Sequence, residues 1–442
     1  MKNLVMGVAE GYGWYELEPF VRSFQRHCEN SDLVLFVDNV SNFTRDKLKS
    51  EGVELLPFPD ELKDGLVVNA RWSMYKKFFE ERGGDYQQVF LTDTRDVIFQ
   101  ENLFELYADS KNFLCYTTED ENIKNPKEAI TYGWLARFFG RDESEKLGDK
   151  KIICCGTVLA TIDAAKIFST KMIEILQRST NWGDEQAAMN YLVYENLLDI
   201  ENIVELNCYS GNILTAGMFY KNHLITIDNE KILRGDGGVP AAVHQYTWYP
   251  ELTQLVNKIY REKDFQPDEN FSDLPSMLDQ IICTANVDKL DYAHILFTKY
   301  LYGKNFSGYG NKLLTLWEII SDKNISPAKD FLTLSIQWAL IGAFNNFSVQ
   351  QINRLKDLTN SAIKNNSVVT LQFKIFIGST LIRWLNNLCD KKRFSNCLEY
   401  VDTLNALNVP MDSSVYLIQA KIYRELGMKA EALAAYEKAL NV

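Results

Sequence analysis

An α/β domain followed by an all-α domain is the fold class the sequence predicts, and three observations carry it. Up to about residue 100, short apolar runs alternate with segments of helical spacing, as in a Rossmann-like, mostly parallel sheet covered by helices on both faces. From about residue 272 the strand signals fade and helical segments follow one another. Charge divides near the same point: residues 271–442 hold 18 basic and 15 acidic residues, whereas residues 1–270 hold 29 and 44. The domains are accordingly expected at 1–265 and 272–442. Their boundary is expected near 264–275, where Pro267, Pro275 and several acids cluster.

The first strand is expected at 4–8, a short apolar run. Phe20, Val21 and Phe24 give residues 20–28 a helical spacing. Leu33-Val34-Leu35-Phe36-Val37 is a continuous apolar run, the mark of a strand buried on both faces. A helix over 69–82 and a strand over 88–91 follow. Later strands are expected at 113–116, 152–154 and 224–227, and a long helix across 184–198. Beyond the boundary, 312–320, 331–344, 371–388 and 415–440 read as helices in series. In the last of these, Tyr416, Ala420, Tyr423, Gly427, Ala432, Tyr436 and Ala439 fall at the small and aromatic positions of a tetratricopeptide unit, clearest over 414–442. Shifting back by 35 residues puts Cys397, Val401 and Leu404 at equivalent sites, as in a degenerate copy.

Composition excludes several classes. The chain of 442 residues is 46% hydrophobic and 12% aromatic, enough to fill sizeable cores, so disorder is excluded for most of it. Its 47 basic and 59 acidic residues give a net charge of −12, a poor basis for neutralising phosphates, and no nucleic-acid partner is expected. Eight cysteines, far apart except for Cys154 and Cys155, make no disulfide framework. Four histidines and no Cys-x-x-Cys argue against structural zinc. The apolar N-terminal run is too short for a signal peptide. The stretch 331–344 is broken by Thr333, Ser335 and Gln337, and falls short of the ~20 residues that span a bilayer. A cytoplasmic protein without a transmembrane segment is expected.

The strongest chemical signal is the segment Val89-Phe90-Leu91-Thr92-Asp93-Thr94-Arg95-Asp96-Val97-Ile98-Phe99-Gln100. An apolar strand runs straight into two carboxylates and an arginine. In open parallel sheets, ligands bind beyond the carboxyl ends of the strands, so these acids would project into a crevice. Carboxylates there suit Mg²⁺ or Mn²⁺, which complete their shells with substrate phosphates. Arg95 stays protonated and cannot ligate a metal; it would hold a phosphate, or pair with Asp93 or Asp96. A structural Asp–Arg pair at a strand end is the alternative.

That segment resembles the metal-binding Asp-x-Asp region of glycosyltransferases of the GT-A fold, in an Asp-x-Arg-Asp variant. Further motifs follow the family's order. Asn69-Ala70-Arg71-Trp72 through Tyr75 resembles the helix ahead of the motif. Trp134 and Cys154-Cys155-Gly156-Thr157 resemble the acceptor-side helix and the strand-end turn near the donor sugar. Gly183-Asp184-Glu185-Gln186-Ala187-Ala188-Met189-Asn190 resembles the Asp-Gln-x-x-x-Asn helix start of retaining, glycogenin-like members, with Glu185 at the Asp position. Val243-His244-Gln245-Tyr246 resembles the terminal His-Gln-Tyr, whose histidine completes the metal site. The resemblance spans roughly residues 1–260. It departs from the family in two places: Asp93 and Asp96 stand three apart, and Thr247-Trp248 replace an Asp-Arg pair after His-Gln-Tyr.

The resemblance implies a nucleotide-diphospho-sugar donor, a Mn²⁺ or Mg²⁺ cofactor and a glycan or glycolipid acceptor. Asp93, Asp96 and His244 are the expected metal ligands, Asp96 the surer carboxylate; Asp93 would be a second ligand, or would meet the ribose or the metal-bound waters. His244 follows Gly235-Asp236-Gly237-Gly238, which suits a mobile lid that returns a ligand to the site. Asp184 is a good N-cap for its helix. Glu185 and Gln186 would project toward the sugar, and Asp184, Glu185 and Gln186 are the catalytic candidates. In an inverting enzyme a carboxylate here would be general base; in a retaining one Gln186 would sit under the anomeric carbon. The Gln-x-x-x-Asn spacing favours retention. The loop Val8-Ala9-Glu10-Gly11-Tyr12-Gly13 would admit a nucleotide base past Ala9 with Tyr12 stacking on it, although a simple turn fits equally. Arg71 would reach a phosphate or make a surface salt bridge, and Gly156 would lie near the donor. Cys154 and Cys155 read as packing residues.

The helical domain is expected to bind a protein partner or position the acceptor. Residues 351–400 hold 8 basic and 3 acidic residues, which suits a peripheral position at the inner membrane face, or simply a solvated helix face. The rival to an enzyme is an interaction protein acting through its helical repeats, with an inert transferase domain. A nucleotidyltransferase would usually carry a basic phosphate loop after the first strand, and Glu10-Gly11-Tyr12-Gly13 has none.

Overall fold

A computed structural model describes residues 1–62, 66–107, 111–124, 130–179, 181–207, 210–217, 225–262, 273–287, 289–301, 304–321, 323, 327–343, 348–364, 369–407 and 413–441. The chain divides into two compact units, Met1–Glu262 and Lys263–Val442. Most of the expected boundary segment, residues 264–272, lies outside the described residues, as does Leu224, the first residue of the strand expected at 224–227.

The first unit runs β1 (Lys2–Glu10), α1 (Trp14–His27), β2 (Ser31–Asp38), α2 (Asn42–Ser50), β3 (Glu54–Pro57), α3 (Val67–Arg82), β4 (Tyr86–Thr92), β5 (Val97–Phe99), β6 (Phe113–Asn122), α4 (Ile130–Phe139), α5 (Arg141–Lys146), β7 (Lys151–Thr161), α6 (Ile162–Leu176), α7 (Asp184–Tyr194), β8 (Asn202–Leu206), β9 (Ile213–Thr215), β10 (Thr226–Asp228), β11 (Lys231–Leu233), β12 (Ala242–His244) and α8 (Pro250–Tyr260). Seven strands form one sheet in the order β3-β2-β1-β4-β7-β6-β8. Its pairs are parallel except those on either side of β7, which runs antiparallel to β4 and β6. The continuous apolar runs become the inner strands, with Leu4, Val5, Met6, Val34, Leu35, Val89 and Phe90 all fully buried. Trp72, Tyr75 and Phe79 on α3 pack with Phe168 and Met172 of α6 in the largest core.

Two features of this unit place the crevice. Gly7 on β1 leaves room for the loop after β4, because a Cβ there would lie 2.3 Å from Thr94 and 2.7 Å from the Thr92 carbonyl. A separate three-stranded sheet, β5-β12-β9, then carries the chain back from residue 242 against the end of that loop. The expected helix 20–28 is longer than its spacing suggested. It starts at Trp14 and takes Pro19 into its second turn, and Glu16 closes its first turn by accepting from the Gly13 N–H. The helix expected over 184–198 stops at Tyr194.

The second unit is helical: α9 (Leu274–Asn286), α10 (Leu290–Leu296), α11 (Gly310–Ser321), α12 (Pro327–Ala343), α13 (Val349–Lys364), α14 (Leu371–Asp390), α15 (Leu398–Leu407), α16 (Ser413–Glu425) and α17 (Lys429–Leu440). The last two form a hairpin. Gly427 adopts φ +77° between them, and Ala420, Ala432 and Ala435 are buried where small side chains let helices approach.

Candidate functional site

The apolar β4 ends at Thr92, and the chain turns there into the crevice. The turn is pinned on three sides. The Asp93 N–H donates to the Gly156 carbonyl at 2.8 Å, the Thr94 hydroxyl to the Val8 carbonyl at 2.9 Å, and the Gln245 N–H to the Asp96 carbonyl at 2.8 Å. β12 pairs with β5 so that His244 lies opposite Val97, the residue after Asp96. Asp93, Asp96 and His244 thus each offer a ligand atom, all within 4.8 Å of one another. His244 Nε2 stands 3.4 Å from Asp93 Oδ2 and 3.7 Å from Asp96 Oδ1. Asp93 leaves 41% of its side chain exposed toward the crevice, whereas the His244 side chain is 2% exposed.

The return of His244 differs from the expected lid: it is a strand residue in the middle of a small sheet, fixed by pairing on both sides. Residues 235–238 form a turn held by Arg234, whose backbone N–H bonds the Gly238 carbonyl and whose guanidinium grips Asp236. Gly156 forms the crevice wall. A Cβ there would lie 2.4 Å from His244 Cε1 and 2.6 Å from Asp93 Oδ2, so only glycine lets the two side chains meet.

This cluster suits a divalent cation by its charge. Burial raises the pKa of Asp96, with the Asp93 charge adding to it and His244 opposing. Burial also acts to raise Asp93, but Arg71 and His244 together hold it below the usual carboxylate range. Burial acts to lower His244, yet Cys154, Asp96 and Asp93 carry it well above its ordinary value. His244 thus stands between two carboxylates that favour positive charge beside them, the charge a metal ion would supply. Two oxygen donors and one imidazole nitrogen are a donor set that Mn²⁺ or Mg²⁺ accepts. The Cys154 thiol faces His244 Nδ1 at 3.6 Å, leaving Nε2 toward the carboxylates.

Behind the cluster stands a buried ionic network. Arg71, expected as a phosphate or surface residue, is buried on α3. Its Nη1 donates to Asp93 at 2.7 Å, its Nε to Glu185 at 2.6 Å and its Nη2 to the Cys155 carbonyl at 3.1 Å. Trp72 Nε1 adds a bond of 2.7 Å to the same Glu185 oxygen. Burial pushes Glu185 up to about 7 against the pull of Arg71.

The start of α7 is built differently from the expected cap. Gly183, at φ +90°, is the N-cap, and Asp184 is the first helical residue. Its carboxylate is taken by Arg137, by the Ser179 hydroxyl at 2.9 Å and by the Asn181 N–H at 3.2 Å. Gln186 remains half-buried; its Nε2 donates to Thr131 at 3.2 Å and its Oε1 accepts from the Cys155 thiol at 3.9 Å. Asn190, one turn on, exchanges two 2.9 Å bonds with the Ile153 backbone and receives no free role in the crevice. The Gln-x-x-x-Asn spacing thus locks α7 to β7 beside Gly156.

On the far side, Ala9 is a buried strand residue opposite Val37, and the Arg95 guanidinium lies 5.6 Å over the Tyr12 ring. Burial pushes Tyr12 up to about 12, with Arg95 opposing. Thr131, Arg137 and Trp182 were not singled out by sequence reasoning. Nothing in spacing marks them, because each acts through a neighbour more than 40 residues away or through exposure.

No protein-family model matches the chain, and no curated protein matches it. Among solved structures, the chain is similar to glucosyl-3-phosphoglycerate synthase from Mycobacterium tuberculosis in complex with Mn²⁺, UDP-glucose and glycerol 3-phosphate. That match has 15% identity and a TM-score of 0.31, covering 47% of this chain and 69% of that one. It is also similar to the glycosyltransferase GlyE of Streptococcus pneumoniae TIGR4. Here the identity is 14% and the TM-score 0.33, over 83% of this chain and 90% of that one.

Proposed function

We propose that the chain is a metal-dependent glycosyltransferase that moves a sugar from a nucleotide-diphospho-sugar to a glycan or glycolipid acceptor, with retention. The observation that carries this reading is the meeting of Asp93, Asp96 and His244 at the carboxyl end of β4, beside the half-buried Gln186. Asp93, Asp96 and His244 would hold Mn²⁺ or Mg²⁺, which when bound neutralises the diphosphate leaving group as the glycosidic bond breaks.

The chain's own residues divide the remaining work. Arg71 fixes the Asp93 carboxylate from behind and prevents it from turning away from the crevice. Arg95 and Tyr12 flank the opening on the β1 side, where a nucleotide base would enter past Ala9. Gln186 presents its amide to the sugar, tethered by Thr131. Retention is supported by the state of the acids at the start of α7. Asp184 is bound by Arg137, Ser179 and Asn181, and Glu185 by Arg71 and Trp72, so neither is poised to take a proton from an acceptor hydroxyl. The α16–α17 hairpin supports a tetratricopeptide-like reading of the helical unit, which would bind a partner or position the acceptor. Among the described residues no helix is long and apolar enough to cross a membrane.

A screen of nucleotide-sugars with Mn²⁺ tests this reading by thermal stabilisation and by hydrolysis of the donor. At least one nucleotide-sugar is expected to stabilise the wild type only with metal, and Asp96→Ala to abolish the effect. No stabilisation by any nucleotide-sugar would sink the enzyme reading. Stabilisation that survives Asp96→Ala would remove the metal assignment alone.

A further inference from the structure

Carbohydrates present an apolar face of C–H bonds and a rim of hydroxyls, so a site for one combines an exposed aromatic ring with hydrogen-bonding groups at its edge. Such a combination lies beside Gln186. Trp182 is 60% exposed, and its ring stands edge-on to Trp134 with centroids 4.9 Å apart and planes at 88°. Ile130, one turn before Trp134 on α4, is also exposed, so the two indoles continue an apolar ledge. Thr131, on the same helix turn, is the residue bonded to Gln186.

The ledge is rigid. Gly183, next to Trp182 in the chain, fits against Trp134 only because it has no side chain: a Cβ would lie 2.3 Å from the Trp134 ring. Its φ of +90° turns the chain sharply into α7. Arg137 Nη2 donates to the Trp182 carbonyl at 3.0 Å and also binds Asp184, while the Asn181 N–H is held by the same Asp184 carboxylate. The backbone on both sides of Trp182 is therefore fixed, and the indole is held out at a set angle. Leaving so large an apolar ring in water is unfavourable, and a fixed ring loses little further entropy when a ligand stacks on it.

We propose that Trp182, seated on Trp134, is the stacking platform for a pyranose ring of the acceptor, with Arg137 at its hydroxyl rim. This rests on the glycosyltransferase reading and deepens it: the acceptor presents a saccharide ring to the enzyme, whatever carries that ring. The platform begins one helical turn from the residue that tethers Gln186, so a ring stacked there lies at the edge of the reacting site.

The test uses the full chain with Mn²⁺ and the nucleotide-sugar that stabilises it. Binding of methyl glucosides, methyl galactosides, maltose and lactose is followed by saturation-transfer NMR, for wild type, Trp182→Ala and Trp182→Phe. At least one sugar is expected to bind the wild type. Trp182→Ala should lower its affinity about threefold to tenfold and Trp182→Phe restore most of it, with stabilisation by Mn²⁺ and nucleotide-sugar the same in all three proteins. Equal sugar affinity in Trp182→Ala would overturn the platform. So would the absence of sugar binding to a wild type that the nucleotide-sugar does stabilise. If no nucleotide-sugar stabilises the wild type, the glycosyltransferase reading falls and the platform with it.

Discussion

In the sheet unit, most buried ionisable side chains gather in one place: Arg71, Asp96, Glu185 and His244 lie together at the carboxyl ends of the strands, with Asp93 at their open edge, while the buried Glu18 is held apart by Arg22 and Arg261. Among the described residues of the helical unit, ion pairs tie one helix to another. Lys312 of α11 meets the buried Asp279 of α9, and Lys356 of α13 meets Glu399 of α15. A lysine facing a carboxylate in this way, as Lys356 also faces Asp357, is neutralised within the fold and needs nothing from outside. The sheet cluster instead sets Asp93, Asp96 and Glu185 against Arg71, with His244 lying between Asp93 and Asp96, an arrangement that favours a further positive charge. The contrast separates charge that holds a fold together from charge arranged to receive a ligand.

The largest effects test that separation directly. Arg71→Met and Lys312→Met each remove the cation that faces a buried carboxylate, and each should cost about 3–5 kcal/mol of stability, read from urea unfolding. Only Arg71→Met should also remove the stabilisation by Mn²⁺, because Arg71 alone touches Asp93. A loss of Mn²⁺ response in Lys312→Met would break the comparison.

The pH dependence of the cluster is the next largest effect. Glu185 has a folded pKa of about 7, above the ordinary ~4.3 of an unfolded glutamate. Between these values the native state keeps a proton that the unfolded state has released. Stability therefore falls as pH rises from about 4.3 to about 7, by up to about 4 kcal/mol, and is level beyond. Glu185→Gln removes this slope. His27, pushed down to about 4 by burial, slopes the other way, so the readout is the difference between wild type and variant. A difference that stays constant from pH 4.5 to 7 would show that Arg71 keeps Glu185 ionised throughout.

The sequence made some of this readable and hid the rest for physical reasons. The apolar run of β4 ending in Asp93 and Asp96 is a local pattern, and the strand–helix alternation around it places the acids at a strand end. Arg71, in contrast, reads as an ordinary helix residue. Its partner Glu185 is 114 positions away, and only the packing of α3 on α6 and of α6 on α7 brings them together. The three-residue strands β5, β9 and β12 are too short to give a periodic signal, so the Gly-rich turn at 235–238 suggested a lid where pairing makes a fixed strand. The tryptophan ledge was invisible for another reason: exposure cannot be read from a single sequence.

The two smallest effects set one glycine from each unit side by side. Gly156→Ala forces a methyl group into the contact between His244 and Asp93. Overpacking there should cost about 1–3 kcal/mol, and Mn²⁺ stabilisation should be lost even where the variant remains folded. Gly427→Ala meets no neighbouring atom within 4 Å, and its cost comes only from the left-handed φ of +77°. That glycine closes α16, with the Met428 N–H reaching back to the Tyr423 carbonyl at 2.9 Å, as helix ends in this conformation do. An alanine can adopt the conformation at about 1–2 kcal/mol, so thermal unfolding should shift modestly and the Mn²⁺ response should not move. If Gly427→Ala weakened metal binding as Gly156→Ala does, the helical unit would be part of the site, and the division of charge between the two units would need to be redrawn.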